Sequence, residues 1–256
     1  MWQRMKTQAT PPKYQQTTGQ DFSSGDLIVE AGLLFLGAPY RENTLDGPGR
    51  ERLIVDLRAF DCTTFVETVL ALVRSASSGK FRAAEFRRNL QRIRYRGGKI
   101  DGYASRLHYF TDWLADNQKK KVLRDVSRIL GGVHARKKID FMTAHRERYA
   151  SLKRESQAKK MRQTERRLSR RPFYMIGKER ASQIQNGIQP GDIIAFTTSQ
   201  EGLDVAHVGF AIRERGRLRL LHASSREGAV AITAGTLPAY LKSRSNFTGI
   251  LVARMI

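Results

Sequence analysis

Residues 192–224 read DIIAFTTSQEGLDVAHVGFAIRERGRLRLLHAS. The runs DIIAF (192–196), VAHVGFAI (205–212) and LRLLHAS (218–224) are β-rich and separated by turn residues, and VAI (230–232) and GILVARM (249–255) continue the pattern. Upstream the periodicity changes. Residues 26–37 and 63–77 carry apolar side chains at helical spacing, the second with Phe65, Val66, Val69, Leu70, Leu72 and Val73 on one wide face. A basic helix is expected at 81–95, and another from Ser105 with Leu107, Phe110 and Leu114 on one side. Residues 52–60 read as a short strand or extended lead-in, and 121–130 as a strand or hairpin arm. Helices first and strands later predict an α+β fold, with helices packed on one side of an antiparallel sheet.

The totals narrow the class. The chain has 256 residues, 40% hydrophobic and 27% charged, which suits a soluble globular protein. No apolar run approaches the roughly 20 residues of a membrane span. The longest, LIVEAGLLFLGA (27–38), carries Glu30 and reads as a core helix. The polar start lacks the apolar centre of a secretion signal. The protein therefore stays inside, has lost a leader, or is exported by another route. Residues 1–24 are expected to be a flexible tail ahead of a single domain at 25–256. One cysteine excludes an intramolecular disulfide framework and cysteine-based zinc clusters. Five histidines without HExxH-like spacing signal no metal site. No cofactor is implied.

A net charge of +22 favours a polyanionic partner: nucleic acid, an anionic membrane face or an acidic wall polymer. Residues 144–171 hold 11 Lys/Arg against three Asp/Glu. They read as a long solvated helix or partly ordered basic insertion, spanning about 140–172, with a polyanion-binding arm as the alternative. The absence of zinc-finger, RNP-like and KH-like motifs disfavours nucleic acid.

The lone thiol lies in FDCTTFVETV (60–69), at the seam between the extended lead-in and a helix. Thr64 and Glu67 have capping-box spacing, and Asp61 is an alternative N-cap. Cys62 thus sits in the first turn or just before it, where a helix N-terminus lowers a thiol pKa from its usual value near 8.5. It is either a nucleophile or a small buried core cysteine. By period-2 alternation His207 shares a face with Val205, Gly209 and Ala211, small neighbours that leave room for a substrate. If 205–212 and 218–224 form a hairpin across ERGR, His222 approaches His207. His207 would then be the base, and His222 would hold its other nitrogen and fix the tautomer. Alone, each ring is equally a hydrogen-bonded core histidine.

The order DCTTFVE, QPGDIIAF, AHVGF, LHAS resembles the NlpC/P60 superfamily of papain-like cell-wall cysteine hydrolases. GAPYRENTL, ERLIVDLRAFDCTTFVETVLAL and GGKIDGYASRLHYFTDWL are similar to blocks of its DUF1460 branch, which is N-acetylmuramoyl-L-alanine amidase-like. The resemblance covers most of residues 25–255. It implies a papain-like core with Cys62 as nucleophile, His207 as base, His222 as the polar residue orienting it, and Tyr40 lining the substrate cleft. The Cys62 backbone N–H would hold the oxyanion. Within the block at 97–118, Asp101, Tyr103, Arg106 and His108 are candidate substrate contacts, while His108, Tyr109 and Trp113 either flank the cleft or pack. The implied substrate is peptidoglycan or a muropeptide, and the implied location is the cell envelope or periplasm, or secretion as an effector. The bond is N-acetylmuramoyl–L-alanine, with γ-D-glutamyl–diamino acid as the alternative. A basic nucleic-acid-binding protein and a lipid acyltransferase are the rival classes.

Overall fold

The computed structural model describes residues 23–47, 49–76 and 82–256. Residues 1–22 of the expected tail lie outside these. Helix α1 spans Ser24–Leu33. Ser23 caps it: its hydroxyl accepts from the Asp26 N–H, and the Asp26 carboxylate accepts from the Ser23 N–H in return. The chain then turns through Gly37, whose φ of +80° belongs to the left-handed region glycine tolerates.

Helix α2 spans Cys62–Ala76. It buries Phe65, Val66, Val69, Leu70 and Val73, so the apolar face read from the sequence is the face turned inward. Asp61 is the cap: its Oδ1 accepts from Thr64 N (2.7 Å), and Thr64 Oγ1 accepts from Asp61 N (2.9 Å). The Thr64–Glu67 option is not used. Glu67 is buried against Arg94 of α3 (Ala83–Arg94), Nε to Oε2 2.6 Å, and accepts from Trp113 Nε1 of α4 (Phe110–Lys119) at 3.2 Å. Helix α4 begins five residues later than expected from Ser105. The intervening chain forms a tight turn at Tyr103–Ser105 and an extended stretch in which Arg106 bridges Tyr95 and Leu107 N donates to Arg94 O.

The strands are β1 (Leu123–Asp125), β2 (Val133–Ala135), β3 (Phe173–Gly177), β4 (Ile193–Thr198), β5 (Val205–Glu214), β6 (Arg217–Ser224), β7 (Ala229–Ile232) and β8 (Phe247–Met255). They form an antiparallel sheet in the order β2-β3-β8-β4-β5-β6-β7, with β1 paired to the C-terminal part of β8. The fold is α+β. Every residue of β4 is buried, because both sheet faces are covered. Ile193 and Ala195 join the core made with α1 to α4, while Ile194 and Phe196 join a second core beneath Leu237 and Leu241 of α7 (Leu237–Lys242). The expectation of helices on one side therefore holds for the N-terminal helices, and α7 closes the opposite face. Each buried Leu, Val or Phe side chain contributes roughly 1.5–3 kcal/mol.

The basic stretch is not a solvated arm. Helix α5 (Phe141–Ala144) and helix α6 (Glu155–Arg170) bury Met142, Ala158, Met161 and Leu168 around Tyr103, Tyr109, Ile139 and Leu152. Glu165 of α6 is buried and accepts from Tyr109 Oη (2.7 Å) and Thr143 N (3.0 Å). Arginine and lysine dominate only the opposite face, which leaves few large apolar residues to signal the packing.

Candidate active site

The site forms where the first turn of α2 meets β5. Phe65, one turn below Cys62, lies 5.8 Å centroid to centroid from Phe210, three residues past His207. Phe35 and Phe60 pack edge-on against Phe65 at 6.5 and 6.0 Å. This cluster sets the height of the helix tip over the strand. Cys62 packs against the core that contains Val208, the residue after His207, and the Val208 backbone is close enough to favour its thiolate.

A β-bulge aims the histidine. Pairing between β4 and β5 runs from Phe196↔His207 to Thr197↔Val205, leaving Ala206 as the extra residue. Val205 consequently packs with the α2 core, while His207 lies against Phe196 and Tyr240, a tyrosine that is also near enough to feel a charge on Cys62. Period-2 alternation, which placed Val205 and His207 on one face, fails at the bulge. The space above Gly209 is not room for substrate either. A Cβ there would come within 2.8 Å of His222 Cβ, so the missing side chain makes room for the second imidazole. His207 Nε2 and His222 Nδ1 stand 2.6 Å apart.

The Tyr40 segment closes the next side. Tyr40 N donates to Gly228 O (2.7 Å), Phe60 N to Pro39 O (3.0 Å) and Arg41 N to Phe60 O (2.9 Å). Residues 39–41 are thus laced between the β6–β7 turn and the lead-in to Cys62, which is extended with a single bridge at Phe60. The Tyr40 hydroxyl is held protonated, first by burial; a charge on the nearby Cys62 would raise it further.

Burial dominates the electrostatics. It pushes the Cys62 thiol up to about 12; the Asp61 carboxylate adds to the rise, and the backbone of Val208 opposes it. The expected lowering by the helix N-terminus is outweighed first by burial and next by the Asp61 carboxylate that caps that terminus. Burial also drives His207 down to about 3, with His222 and Arg244 adding to the fall. His222 is driven down to about 4, again by burial, with Glu227 opposing and Arg244 assisting. Taken singly, all three groups are neutral near pH 7. A proton passed from sulfur to imidazole would create both charges together, each offsetting the desolvation of the other.

Three neighbours escaped the sequence reading. Tyr240 of α7 packs 5.3 Å from the His222 ring and 6.1 Å from His207. The Arg244 guanidinium lies 5.6 Å from the Tyr240 ring centroid, and Glu227 Oε2 lies 3.8 Å from His222 Nε2. Thr236 and Pro238 do mark the start of α7. Nothing local says that Tyr240 faces the imidazoles.

The second set of candidate residues is engaged elsewhere. Arg106 is buried, donating to Leu45 O (2.9 Å) and pairing with Asp46 (2.5 Å). Tyr103 is buried beneath it, with the guanidinium carbon 4.8 Å from its ring centroid. His108 bonds Tyr103 O (2.9 Å) through Nε2, and burial followed by the Arg106 charge keeps it neutral. Asp101 pairs with Lys160 of α6 (2.9 Å). Tyr109 and Trp113 are buried packing residues. This block braces the 45–52 loop and seats α6; its hydrogen bonds and ion pairs do not run to Cys62 or the imidazole pair. Ser105 caps no helix; its Oγ accepts from Asp101 N and donates to Gly102 O. Among the described residues, no group of three or more His, Cys, Asp and Glu side chains is arranged to hold a metal ion.

A sequence profile described as N-acetylmuramoyl-L-alanine amidase-like (AmiA-like) matches residues 30–250. An N-acetylmuramoyl-L-alanine amidase from Bacteroides uniformis shares 38% identity at a TM-score of 0.86, with 91% of this chain and 99% of that one covered. A Bacteroides fragilis protein described as a candidate xylanase shares 41% identity at a TM-score of 0.85, covering 89% of this chain and 100% of that one. Protein LPG0564 from Legionella pneumophila, of the DUF1460 family, is 24% identical at a TM-score of 0.71, covering 92% and 90%, and shows the same fold. No curated protein matches the chain.

Proposed function

This chain belongs to the N-acetylmuramoyl-L-alanine amidase-like (AmiA-like) family, and from that premise we propose that it hydrolyses the amide joining the lactyl group of N-acetylmuramic acid to L-alanine in peptidoglycan fragments. We read its core as papain-like, of the NlpC/P60 kind. The observation that carries the reading is the sulfur at a helix tip, lodged against the strand whose adjoining residue is one half of a close imidazole pair.

His207 Nε2 is occupied by His222, so Nδ1 is the nitrogen left for the thiol proton. The proton moves from Sγ to Nδ1, and the thiolate attacks the carbonyl carbon. The Cys62 N–H, the first of α2 and without an intrahelical acceptor, holds the oxyanion. His207 returns the proton to the departing L-alanine nitrogen, leaving a thioester. Water, deprotonated by His207, attacks that thioester, releases the lactyl carboxylate and restores the thiol. Tyr40 lines the acyl side of the cleft. The substrate places the enzyme in the cell envelope.

The xylanase description of one relative suggests a glycosidase, which requires two flanking carboxyl groups. The thiol and paired imidazoles suit acyl transfer instead. Purified protein incubated with disaccharide-peptide muropeptides is expected to release intact stem peptide, read by mass spectrometry, and Cys62→Ala is expected to lose about a thousandfold or more of that activity. Release of a dipeptide-bearing disaccharide would move the cut to the γ-D-glutamyl bond. Equal turnover by Cys62→Ala would end the cysteine mechanism.

A further inference from the structure

The 2.6 Å contact between His207 Nε2 and His222 Nδ1 couples the tautomers of the two rings. Two arrangements satisfy it. In the first, His222 Nδ1–H donates to His207 Nε2; a neutral His207 then carries its own hydrogen on Nδ1 and cannot take the thiol proton. In the second, His207 Nε2–H donates to His222 Nδ1, His207 Nδ1 is free and basic, and His222 carries its hydrogen on Nε2. Only the second is competent. It places an N–H on a side chain that is 0% exposed, at an atom with no hydrogen-bond partner among the described residues.

The groups facing His222 are His207, the Tyr240 ring, the Arg244 cation and Glu227. Of these, Glu227 supplies the negative charge, with Oε2 3.8 Å from Nε2. We propose that Glu227 is a positioning residue that selects the competent tautomer, its carboxylate accepting the His222 Nε2–H and so extending the relay to Cys62–His207–His222–Glu227. A carboxylate facing that nitrogen favours a hydrogen there over a lone pair. It also stabilises the positive charge that His207 gains when the thiolate forms. The backbone is anchored for the task. Glu227 N donates to Ser224 Oγ (3.3 Å), and the next carbonyl, Gly228 O, accepts from Tyr40 N (2.7 Å). The Glu227 side chain itself is half exposed and has no other ion pair among the described residues, so closing the gap to the roughly 2.8 Å of a charge-assisted bond takes about 1 Å of side-chain movement.

The inference rests on Cys62 and His207 being thiol and base, and its test needs no peptidoglycan. Cys62, the single cysteine, is alkylated with iodoacetamide across pH in the parent, Glu227→Ala, Glu227→Gln and Glu227→Asp, with melting temperatures recorded alongside. Glu227→Ala is expected to slow alkylation near neutral pH by about tenfold or more, the low end for an orienting partner. Glu227→Asp should recover most of the rate and Glu227→Gln part of it, at unchanged melting temperature. Long-range 1H–15N spectra of the parent should show His222 protonated at Nε2. Parent-like alkylation by Glu227→Ala across the pH range, or a parent His222 protonated at Nδ1, overturns the proposal; should Glu227→Ala fail to fold, the spectra decide. If alkylation responds as expected while muropeptides are not cleaved, the substrate reading fails and the relay stands.

Discussion

Asp61 does two opposed things at the tip of α2. Its carboxylate caps the helix through Thr64 N, and its charge raises the Cys62 thiol toward the neutral form. The substitution Asp61→Asn separates these roles, since asparagine caps about as well as aspartate. The expected outcome is faster iodoacetamide alkylation of Cys62 at neutral pH with a melting temperature close to the parent's; a slower rate would contradict the assignment. His222 supplies a second prediction. Its folded pKa, about 4, lies below the ordinary histidine value of about 6.5, so between these values the unfolded chain binds more protons. The stability from keeping this ring neutral is complete above about pH 6.5 and is lost as pH falls toward about 4. The melting-temperature advantage of the parent over His222→Asn is therefore expected to shrink between about pH 7.5 and about pH 4.5. A constant gap would show that the ring is not held neutral. The residue types Cys, His and His were legible in the sequence as a constellation. Glu227, Tyr240 and Arg244 were not, because an exposed-looking turn glutamate and a short helix carry no local mark of what they face.

At the scale of elements, the position of Cys62 over β5 depends on how helix, bulge and hairpin meet. Gly209 is the tightest point: any Cβ would press on His222 Cβ and Leu221 O, each 2.8 Å away. Gly209→Ala is expected to cost about 1–3 kcal/mol in denaturant melts and to lower amidase turnover more than it raises KM, because the second ring is displaced. Parent-like turnover would show that the β5–β6 spacing is not critical. Deeper in α2, the buried Glu67–Arg94 pair, with Arg94 Nη1 also donating to Ile54 O (2.6 Å), joins α2, α3 and the lead-in chain. In DCTTFVE, the glutamate thus holds the helix that presents the cysteine. Helical periodicity located α2 to within a residue or so, since its apolar face is long and capped. It misplaced α4, because Leu107 sits at helical spacing yet spends its N–H on Arg94 O. It also missed the bulge at Ala206, which breaks alternation immediately before His207.

Across the described residues, the basic stretch at 144–171 belongs to a packed frame, not to a free arm. Lys153, Arg154, Lys159, Arg166 and Arg170 remain exposed along the outer side of α6 and its approach. They are expected to hold the protein on acidic wall polymer through screened attraction. In sedimentation with isolated sacculi, the bound fraction should fall steeply as salt rises from about 0.05 to about 0.5 M, where the Debye length shrinks severalfold. Binding indifferent to salt would assign retention to other contacts. The sequence by itself determined the α+β class, the central helix, the strand succession and the candidate thiol and imidazoles, because periodicity and residue chemistry are local properties. Only the tertiary structure decided that the two imidazoles meet, that α6 packs one face through a buried glutamate while the other stays exposed, and that Arg106 and Tyr103 are buried in the frame. Those outcomes follow from burial and from distances between residues far apart along the chain, and no single stretch of sequence contains them.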